Sequence, residues 1–185
     1  MLIGSMLSLL AAFTLSVEAV ELAKNPDAKL SCSINVVLNC TTVNSHPTAN
    51  LFGFPNSFIG LMLEPVVIAI AVAGLAGMRF PRPLMLAAQV GYTLGLVFAL
   101  SLFYISFVII QTLCLWCLLV TLTTILVWFA ITRYNIREDN LYLPRYIQKR
   151  LHEWVERDYD KLIMFGLITA LIGAIVIKYG DGLFV

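Results

Sequence analysis

The strongest constraint on this chain is a shortage of charge: residues 83 to 132, fifty in a row between Arg82 and Arg133, carry none. As a single α-helix they would be about 75 Å long, more than twice the roughly 30 Å core of a bilayer. They must therefore form two membrane spans. Only 12% of the 185 residues are charged, against roughly 25% in soluble domains, and the mean hydropathy is +0.90, which argues against a soluble globule.

The gaps between charges predict an all-α integral membrane protein with five spans in one domain, residues 1–185. A span needs about 20 apolar residues, and the most polar part of the long uncharged stretch, residues 106–112, is the expected turn between spans three and four. The first segment lacks the basic start and the cleavage site of a signal peptide. The predicted spans are about residues 2–20, 57–78, 84–108, 112–132 and 162–178.

The distribution of Lys and Arg predicts the orientation, because positive charge collects on the cytoplasmic side. With five spans, nine of the 12 basic residues share a side with the N-terminus, which is therefore expected in the cytoplasm of a plasma membrane. Lys24, Lys29 and Lys178 lie on the other side, with the 21–56 loop and the C-terminus. The nine are Arg79, Arg82, Arg133, Arg137, Arg145, Lys149, Arg150, Arg157 and Lys161.

The cytoplasmic segment 133–161 contains a predicted amphipathic helix. Pro144 suits a first helical position, and apolar residues then recur on one face, which indicates a helix lying on the membrane surface. These residues are Ile147, Leu151, Trp154 and Val155. The formal net charge of +1 gives no indication of nucleic-acid binding.

All four cysteines fall on the predicted outer side, where disulfides form and persist. Cys32 and Cys40 are in the outer loop, and Cys114 and Cys117 form a C-x-x-C at the start of span four. A helix start favours the thiolate of Cys114 through free backbone N–H groups, and Cys117 lies one turn deeper. This arrangement predicts thiol–disulfide exchange coupled to a membrane-soluble oxidant.

Three other interpretations of the cysteines compete with redox exchange. They are a pair of structural disulfides, a zinc site, and packing of free thiols. A C-x-x-C ring is a strained structural disulfide, and the combined C-x7-C and C-x2-C spacing is unusual for zinc, so no metal is expected.

The cysteines and their neighbours resemble the vitamin K epoxide reductase family, with bacterial members the most similar. The resemblance rests on the loop Cys32–Ser33–Ile34–Asn35 through Cys40, the segment Leu51–Phe52–Gly53–Phe54–Pro55–Asn56, and Cys114–Leu115–Trp116–Cys117. It covers nearly the whole chain and implies a four-helix bundle around a quinone, with a fifth helix alongside.

The resemblance also implies a role for each cysteine. Cys114 and Cys117 would pass electrons to a quinone of the menaquinone, ubiquinone or vitamin K type, with Cys117 nearest the ring. Cys32 and Cys40 would receive electrons from a thioredoxin-fold protein, Cys32 exchanging with that partner and Cys40 forming a transient disulfide with Cys114. The partner is expected to be a separate extracytoplasmic protein, and the quinone to come from the membrane pool.

The sequence departs from the family at two positions. His46 stands where the family often has a serine, with Ser45 just before it, and Thr121 stands where animal members have a tyrosine. His46 and Ser45 remain candidates for thiolate support, and Thr121 for contact with the quinone or for bonding to its own helix backbone.

The expected quinone pocket needs an apolar slot with few hydrogen-bond donors. Asn56 is the candidate donor, with capping of span two as its alternative role, and Phe52, Phe54 and Phe58 are the candidate walls. Glu64, an acid inside a span, is one candidate proton donor, and His46, whose imidazole can relay protons, is the other.

We therefore expect a thiol oxidoreductase that oxidises a partner dithiol, reduces quinone and supports disulfide formation outside the cytoplasm. The alternatives are reduction of vitamin K or its epoxide, and a non-enzymatic membrane protein held together by disulfides.

Overall fold

The computed structural model describes residues 1–26, 28, 30, 32, 33 and 35–183, and in this part the chain is helical with no β-strand. Lys29, counted above for the orientation, and Ile34, part of the family motif, lie outside the described residues. The α-helices are α1 (Leu2–Lys24), α2 (Cys40–Asn44), α3 (Ser57–Leu75), α4 (Arg82–Tyr104), α5 (Leu115–Arg137), α6 (Arg145–Glu156) and α7 (Tyr159–Leu183).

Five of the described helices are long and apolar enough to cross a membrane, which confirms the predicted fold class. They are α1, α3, α4 with its extension to Ile110, α5 and α7. Several boundaries differ from the prediction by three to five residues: α3 ends at Leu75, α5 extends from Leu115 to Arg137, and α7 ends at Leu183. The helix α1 continues to Lys24, since helical hydrogen bonding does not stop where the apolar stretch stops, and α7 already begins at Tyr159.

The turn between the third and fourth spans lies later than predicted. A π-helical turn, Ile105–Ile110, extends α4, and Gln111 then ends it in a left-handed conformation with φ of 58°. The polar Ser106 does not break the helix because its hydroxyl donates to the carbonyl of Thr112. Wider π-helical turns are frequent near functional sites, and this one ends four residues before Cys114.

Small residues on α1 let the bundle pack closely. The buried face of α1 includes Ser5, Ser8, Ala11 and Ala12. A Cβ on Gly4 would lie 2.8 Å from Val127 of α5, so α1 and α5 approach closely, as small residues allow between membrane helices.

The two ends of the bundle are distinct. The cysteine end, as we call it, holds the C-terminus of α1 and the first residues of α3 and α5. At the opposite end Arg133 donates to Asp158 at 2.7 Å and to Asp160 at 2.8 Å, which fixes the start of α7 against α5. The predicted amphipathic helix lies at this end as α6, which begins at Arg145, one residue after the predicted start at Pro144. Its Val155 is buried and its Trp154 is half exposed.

The fifth span also reaches the cysteine end. The hydroxyl of Tyr179 donates to the carbonyl of Phe107 at 2.7 Å, and the Lys178 amine donates to the same oxygen. The Lys178 amine also lies 4.5 Å from the centre of the Phe107 ring. The helix α7 therefore holds the π-helical turn that precedes Cys114.

Candidate functional site

Three sulfur atoms converge at the cysteine end. Cys32 and Cys40 form a disulfide, with Cα atoms 5.6 Å apart. The sulfurs of Cys32, Cys40 and Cys114 all lie within 4.8 Å of one another. All three residues are buried in one cluster, and Cys117 packs against it. The structure thus brings together the two cysteine pairs that are far apart in sequence.

A short backbone pairing produces this convergence. The N–H of Leu113 donates to Val37 at 2.7 Å, and the N–H of Asn39 donates to Leu113 at 3.0 Å. Leu38 and Leu113 form an isolated parallel bridge. Because Cys40 and Cys114 follow this bridge closely in their segments, the pairing sets their sulfurs side by side.

Side-chain hydrogen bonds shape the loop before the bridge. The Asn35 side chain accepts from the N–H groups of Val37 and Leu38 at 3.0 and 2.7 Å. Asn39 then caps α2 by accepting from Thr42 at 3.1 Å. These local bonds satisfy the backbone where the chain turns and place Cys40 as the first residue of α2.

Cys114 caps α5, as the helix-start argument predicted. Its sulfur accepts from the backbone N–H of Cys117 at 3.3 Å. Hydrogen bonding by the Cys117 side chain, and then by backbone N–H groups, lowers the pKa of the Cys114 thiol, against the opposing effects of burial and of the Glu18 charge. Cys114 is therefore the thiol of this pair that leaves most easily as a thiolate.

A carboxylate from α1 stands beside the sulfurs. The oxygens of Glu18 lie 3.9 and 4.0 Å from the Cys32 sulfur, and Glu18 is 5% exposed. Glu18 had no predicted role, because nothing in its neighbouring sequence pairs it with Cys32, 14 residues later.

An apolar cavity of about 400 Å³ begins at the C-x-x-C and extends between α1, α3, α4 and α5. Cys114 and Cys117 are in its wall. Small-molecule sites typically occupy about 300–1,000 Å³, are mostly apolar and have a few polar groups. The cavity therefore matches the size and character of a site for a flat hydrophobic molecule next to two thiols.

One acidic group lines this cavity below the cysteines. Glu64 is 7% exposed, and the hydroxyl of Tyr92 donates to its two oxygens at 3.0 and 2.9 Å. Ser8 of α1 is a further hydrogen-bond partner of Glu64. The carboxyl group is thus held on the cavity wall by Tyr92 and Ser8, both of which also line the cavity.

The comparison with known protein families agrees with this geometry: the vitamin K epoxide reductase family matches residues 1–132. The chain belongs to this family. The match ends within α5, so it includes all four cysteines, the whole of α1, α3 and α4, and the part of α5 that lines the cavity. The search of curated proteins found no match.

Asn56 and Thr121, two of the residues expected to contact the quinone, both line the cavity. The Asn56 amide donates to Thr48 at 2.7 Å and its oxygen accepts from Leu51 at 3.3 Å, so it organises the loop and makes no cap to α3. The Thr121 hydroxyl donates to the carbonyl of Cys117 at 2.9 Å. Thr121 thus bonds to its own helix, the second of its two expected roles.

The three phenylalanines expected as pocket walls stack outside the cavity. Phe52, Phe54 and Phe58 lie in series, with ring centres 6.1 and 6.5 Å apart. None is among the cavity-lining residues, but the Phe52 ring lies 5.8 Å from that of Phe98, which does line it. Phe52 is 57% exposed, which suits an anchor at the membrane interface.

His46 and Ser45 bond locally within the outer loop. The His46 ring accepts from the N–H of Thr48 at 3.4 Å and thereby caps the 3-10 helix Pro47–Asn50. The ring also shares a 2.8 Å hydrogen bond with the Thr48 hydroxyl. The exposed Ser45 hydroxyl donates to Thr41 at 2.7 Å. The described contacts give both residues a role in loop structure, and neither contact involves a cysteine.

A residue that the sequence reasoning missed is Asn44, at the end of α2. It lines the cavity, and its amide nitrogen is buried without a hydrogen-bond partner among the described residues. A buried donor left unpaired is costly and rare in native proteins. Only the folded arrangement of α2 over the cavity reveals this donor, since the sequence shows an ordinary loop asparagine.

Proposed function

We propose that this protein oxidises the dithiol of a thioredoxin-fold partner and passes the electrons through its two cysteine pairs to a membrane quinone. The observation that carries the proposal is the convergence of the Cys32, Cys40 and Cys114 sulfurs within 4.8 Å, above a cavity that Cys114 and Cys117 line. Thiol–disulfide exchange requires contact between three sulfurs, and this cluster has them close together.

In the proposed relay the partner attacks Cys32 and releases Cys40. Cys40 then attacks Cys114, which breaks the Cys114–Cys117 disulfide formed in the preceding cycle, and Cys117 is released as a thiolate beside the cavity. The second thiol of the partner resolves the mixed disulfide between the partner and Cys32, so the partner leaves oxidised and Cys32 is restored as a thiol. Because Cys32 is only 4% exposed, we expect exchange with a protein to require displacement of the residues that cover it.

The cavity fits a quinone in both size and donor set. A quinone ring needs apolar walls and a donor for each carbonyl oxygen, and the unpaired amide nitrogen of Asn44 is one such donor. Asn56 has a second amide hydrogen beyond the one given to Thr48. Quinone, when bound, accepts two electrons and two protons, and Glu64 on the same wall is the proposed proton source.

The proposal also assigns the orientation and the compartment. The cysteine end faces outward, in line with the positive-inside distribution of Lys and Arg, and the protein resides in the plasma membrane. Oxidised partner would then support disulfide formation outside the cytoplasm, where disulfides persist.

The test is quinone reduction by purified protein. Wild type, Cys117→Ala and the matched control Ser45→Ala are mixed with dithiothreitol and a short-chain ubiquinone, and the quinone absorbance is followed. We expect turnover by wild type and by the Ser45 variant, and a loss of at least about 100-fold in Cys117→Ala. Absence of turnover by wild type, or equal turnover by the cysteine variant, would refute the proposal.

A separate measurement tests the proton source. In Glu64→Gln, quinone reduction should slow while transfer of electrons from dithiothreitol to Cys114 and Cys117 stays unchanged. If Glu64→Gln reduces quinone as fast as wild type at every pH from 6 to about 8, the range where a general acid affects the rate, Glu64 is not the proton source.

A further inference from the structure

We infer that Glu18 is the proton acceptor for Cys32 when the loop disulfide re-forms, an assignment that rests on the proposed electron relay. The geometry points to this role because the carboxylate of Glu18 and the Cys32 sulfur meet at 3.9 and 4.0 Å in a buried cluster. Glu18 lies on α1, whereas the cysteines lie in the outer loop and at the start of α5. Glu18 is therefore a participant in addition to the four cysteines.

The need for a base follows from the exchange step itself. After Cys40 has joined Cys114, the relay resets when Cys32 attacks Cys40. Only a thiolate attacks at a useful rate, and Cys32 is 4% exposed, so water has little access to remove its proton. Glu18 supplies an acceptor at the position where the proton must leave.

The step balances in atoms and charge. The Cys32 thiol gives its proton to the Glu18 carboxylate, a bond forms between the sulfurs of Cys32 and Cys40, and the Cys40–Cys114 bond breaks. The electron pair of the broken bond leaves on Cys114, which becomes a thiolate. The Cys40–Cys114 disulfide is the oxidant, and no other reagent is consumed.

Transfer of the proton also removes a repulsion. A charged Glu18 opposes a thiolate at Cys114 and raises its pKa, although hydrogen bonds from Cys117 dominate and lower it overall. When Glu18 takes the proton it becomes neutral at the moment when Cys114 becomes negative. The step therefore adds no net negative charge to the cluster, because the Glu18 carboxylate loses its charge as the Cys114 thiolate gains one.

Glu21 offers a matched control. It is one turn from Glu18 on α1, has the same side chain, and is exposed. Glu18→Gln keeps the size and loses the basic oxygen, Glu18→Asp keeps a carboxylate, and Glu21→Gln removes the same charge from the helix surface.

The experiment follows the interloop disulfide without quinone. Fully oxidised full-length protein receives one equivalent of dithiothreitol, is quenched with N-ethylmaleimide at intervals, and the Cys40–Cys114 linkage is measured by mass spectrometry. In Glu18→Gln we expect this linkage to form normally and to decay about 100-fold more slowly. Glu18→Asp should restore most of the decay rate, and Glu21→Gln should behave as wild type.

The pH dependence separates a base from a structural support. The titratable groups described as acting on Cys114 are Glu18 from α1 and Cys117 from α5. Free thiols ionise at about pH 8.5. The difference in the decay rate of the Cys40–Cys114 linkage between wild type and Glu18→Gln should therefore shrink as the pH rises from 7 to about 9. Decay at the wild-type rate in Glu18→Gln, or an equal deficit at every pH, would overturn the assignment. Failure of the proposed function would instead show as absent quinone reduction in wild type.

Discussion

Replacing Tyr92 by phenylalanine tests how the cavity holds its acidic group. The Tyr92 hydroxyl donates to both oxygens of Glu64 at 3.0 and 2.9 Å, and Glu64 is 7% exposed. A typical hydrogen bond contributes about 0.5–1.5 kcal/mol, and a buried acceptor that loses its donor costs about 1–3 kcal/mol. We therefore expect Tyr92→Phe to lower the free energy of unfolding by about 2 kcal/mol, which corresponds to a decrease in the unfolding midpoint of about 4–8 °C.

The assay is thermal unfolding in detergent, followed by far-ultraviolet circular dichroism. Tyr104→Phe is the matched control, because Tyr104 ends the same helix and is 59% exposed. Its midpoint should stay within about 1 °C of wild type, as for most surface substitutions.

A double-mutant cycle identifies the cause of the Tyr92 effect. In a Glu64→Leu background the acceptor of the Tyr92 hydroxyl is absent, so the additional substitution Tyr92→Phe should cost about 1 kcal/mol or less. The reasoning fails if the unfolding midpoint of Tyr92→Phe equals that of the Tyr104 control, or if the penalty of Tyr92→Phe is the same with leucine at position 64.

Three further outcomes are expected. With the loop disulfide intact, Cys114 is the only remaining thiol in Cys117→Ser and in Cys117→Ala. The alanine variant lacks the side chain that hydrogen-bonds to Cys114, so its Cys114 should need a higher pH to form the thiolate, which is measured by ultraviolet absorbance. Equal titration curves for the two variants would contradict this. Asn44→Ala should weaken binding of a short-chain ubiquinone about 10-fold by titration calorimetry, whereas the exposed Asn50→Ala should not; equal affinities would exclude the amide as a donor. Tyr179→Phe should lower the unfolding midpoint by about 2–4 °C through loss of one hydrogen bond to the π-helical turn, and an unchanged midpoint would show that α7 does not hold that turn.

The fold was predictable because the membrane imposes a simple rule on charge. A span cannot hold many charged residues, so the gaps between them located all five long helices. The boundaries were less accurate, since a helix continues wherever backbone hydrogen bonds continue. At Ser106 a polar side chain that indicated a turn is satisfied inside the helix by bonding to Thr112.

The candidate site was predictable only in part. The C-x-x-C at the start of a helix identified Cys114 as the capping residue because that inference needs only local geometry. Convergence with the loop depends on the pairing of Leu38 with Leu113, 75 positions apart, and no local pattern encodes such a contact. Glu18 and Asn44 were missed for the same reason, since each acquires its chemical meaning from a neighbour on another element.

The central claim, that electrons pass from the loop pair through Cys114 and Cys117 to quinone, is tested most directly by counting electrons. Protein is fully reduced, freed of reductant without oxygen, and titrated with a short-chain ubiquinone. Each disulfide formed releases two electrons, so wild type should reduce about two equivalents of quinone, Cys40→Ala about one, and Cys117→Ala none. Two equivalents from Cys40→Ala, or any stoichiometric reduction by Cys117→Ala, would contradict the account.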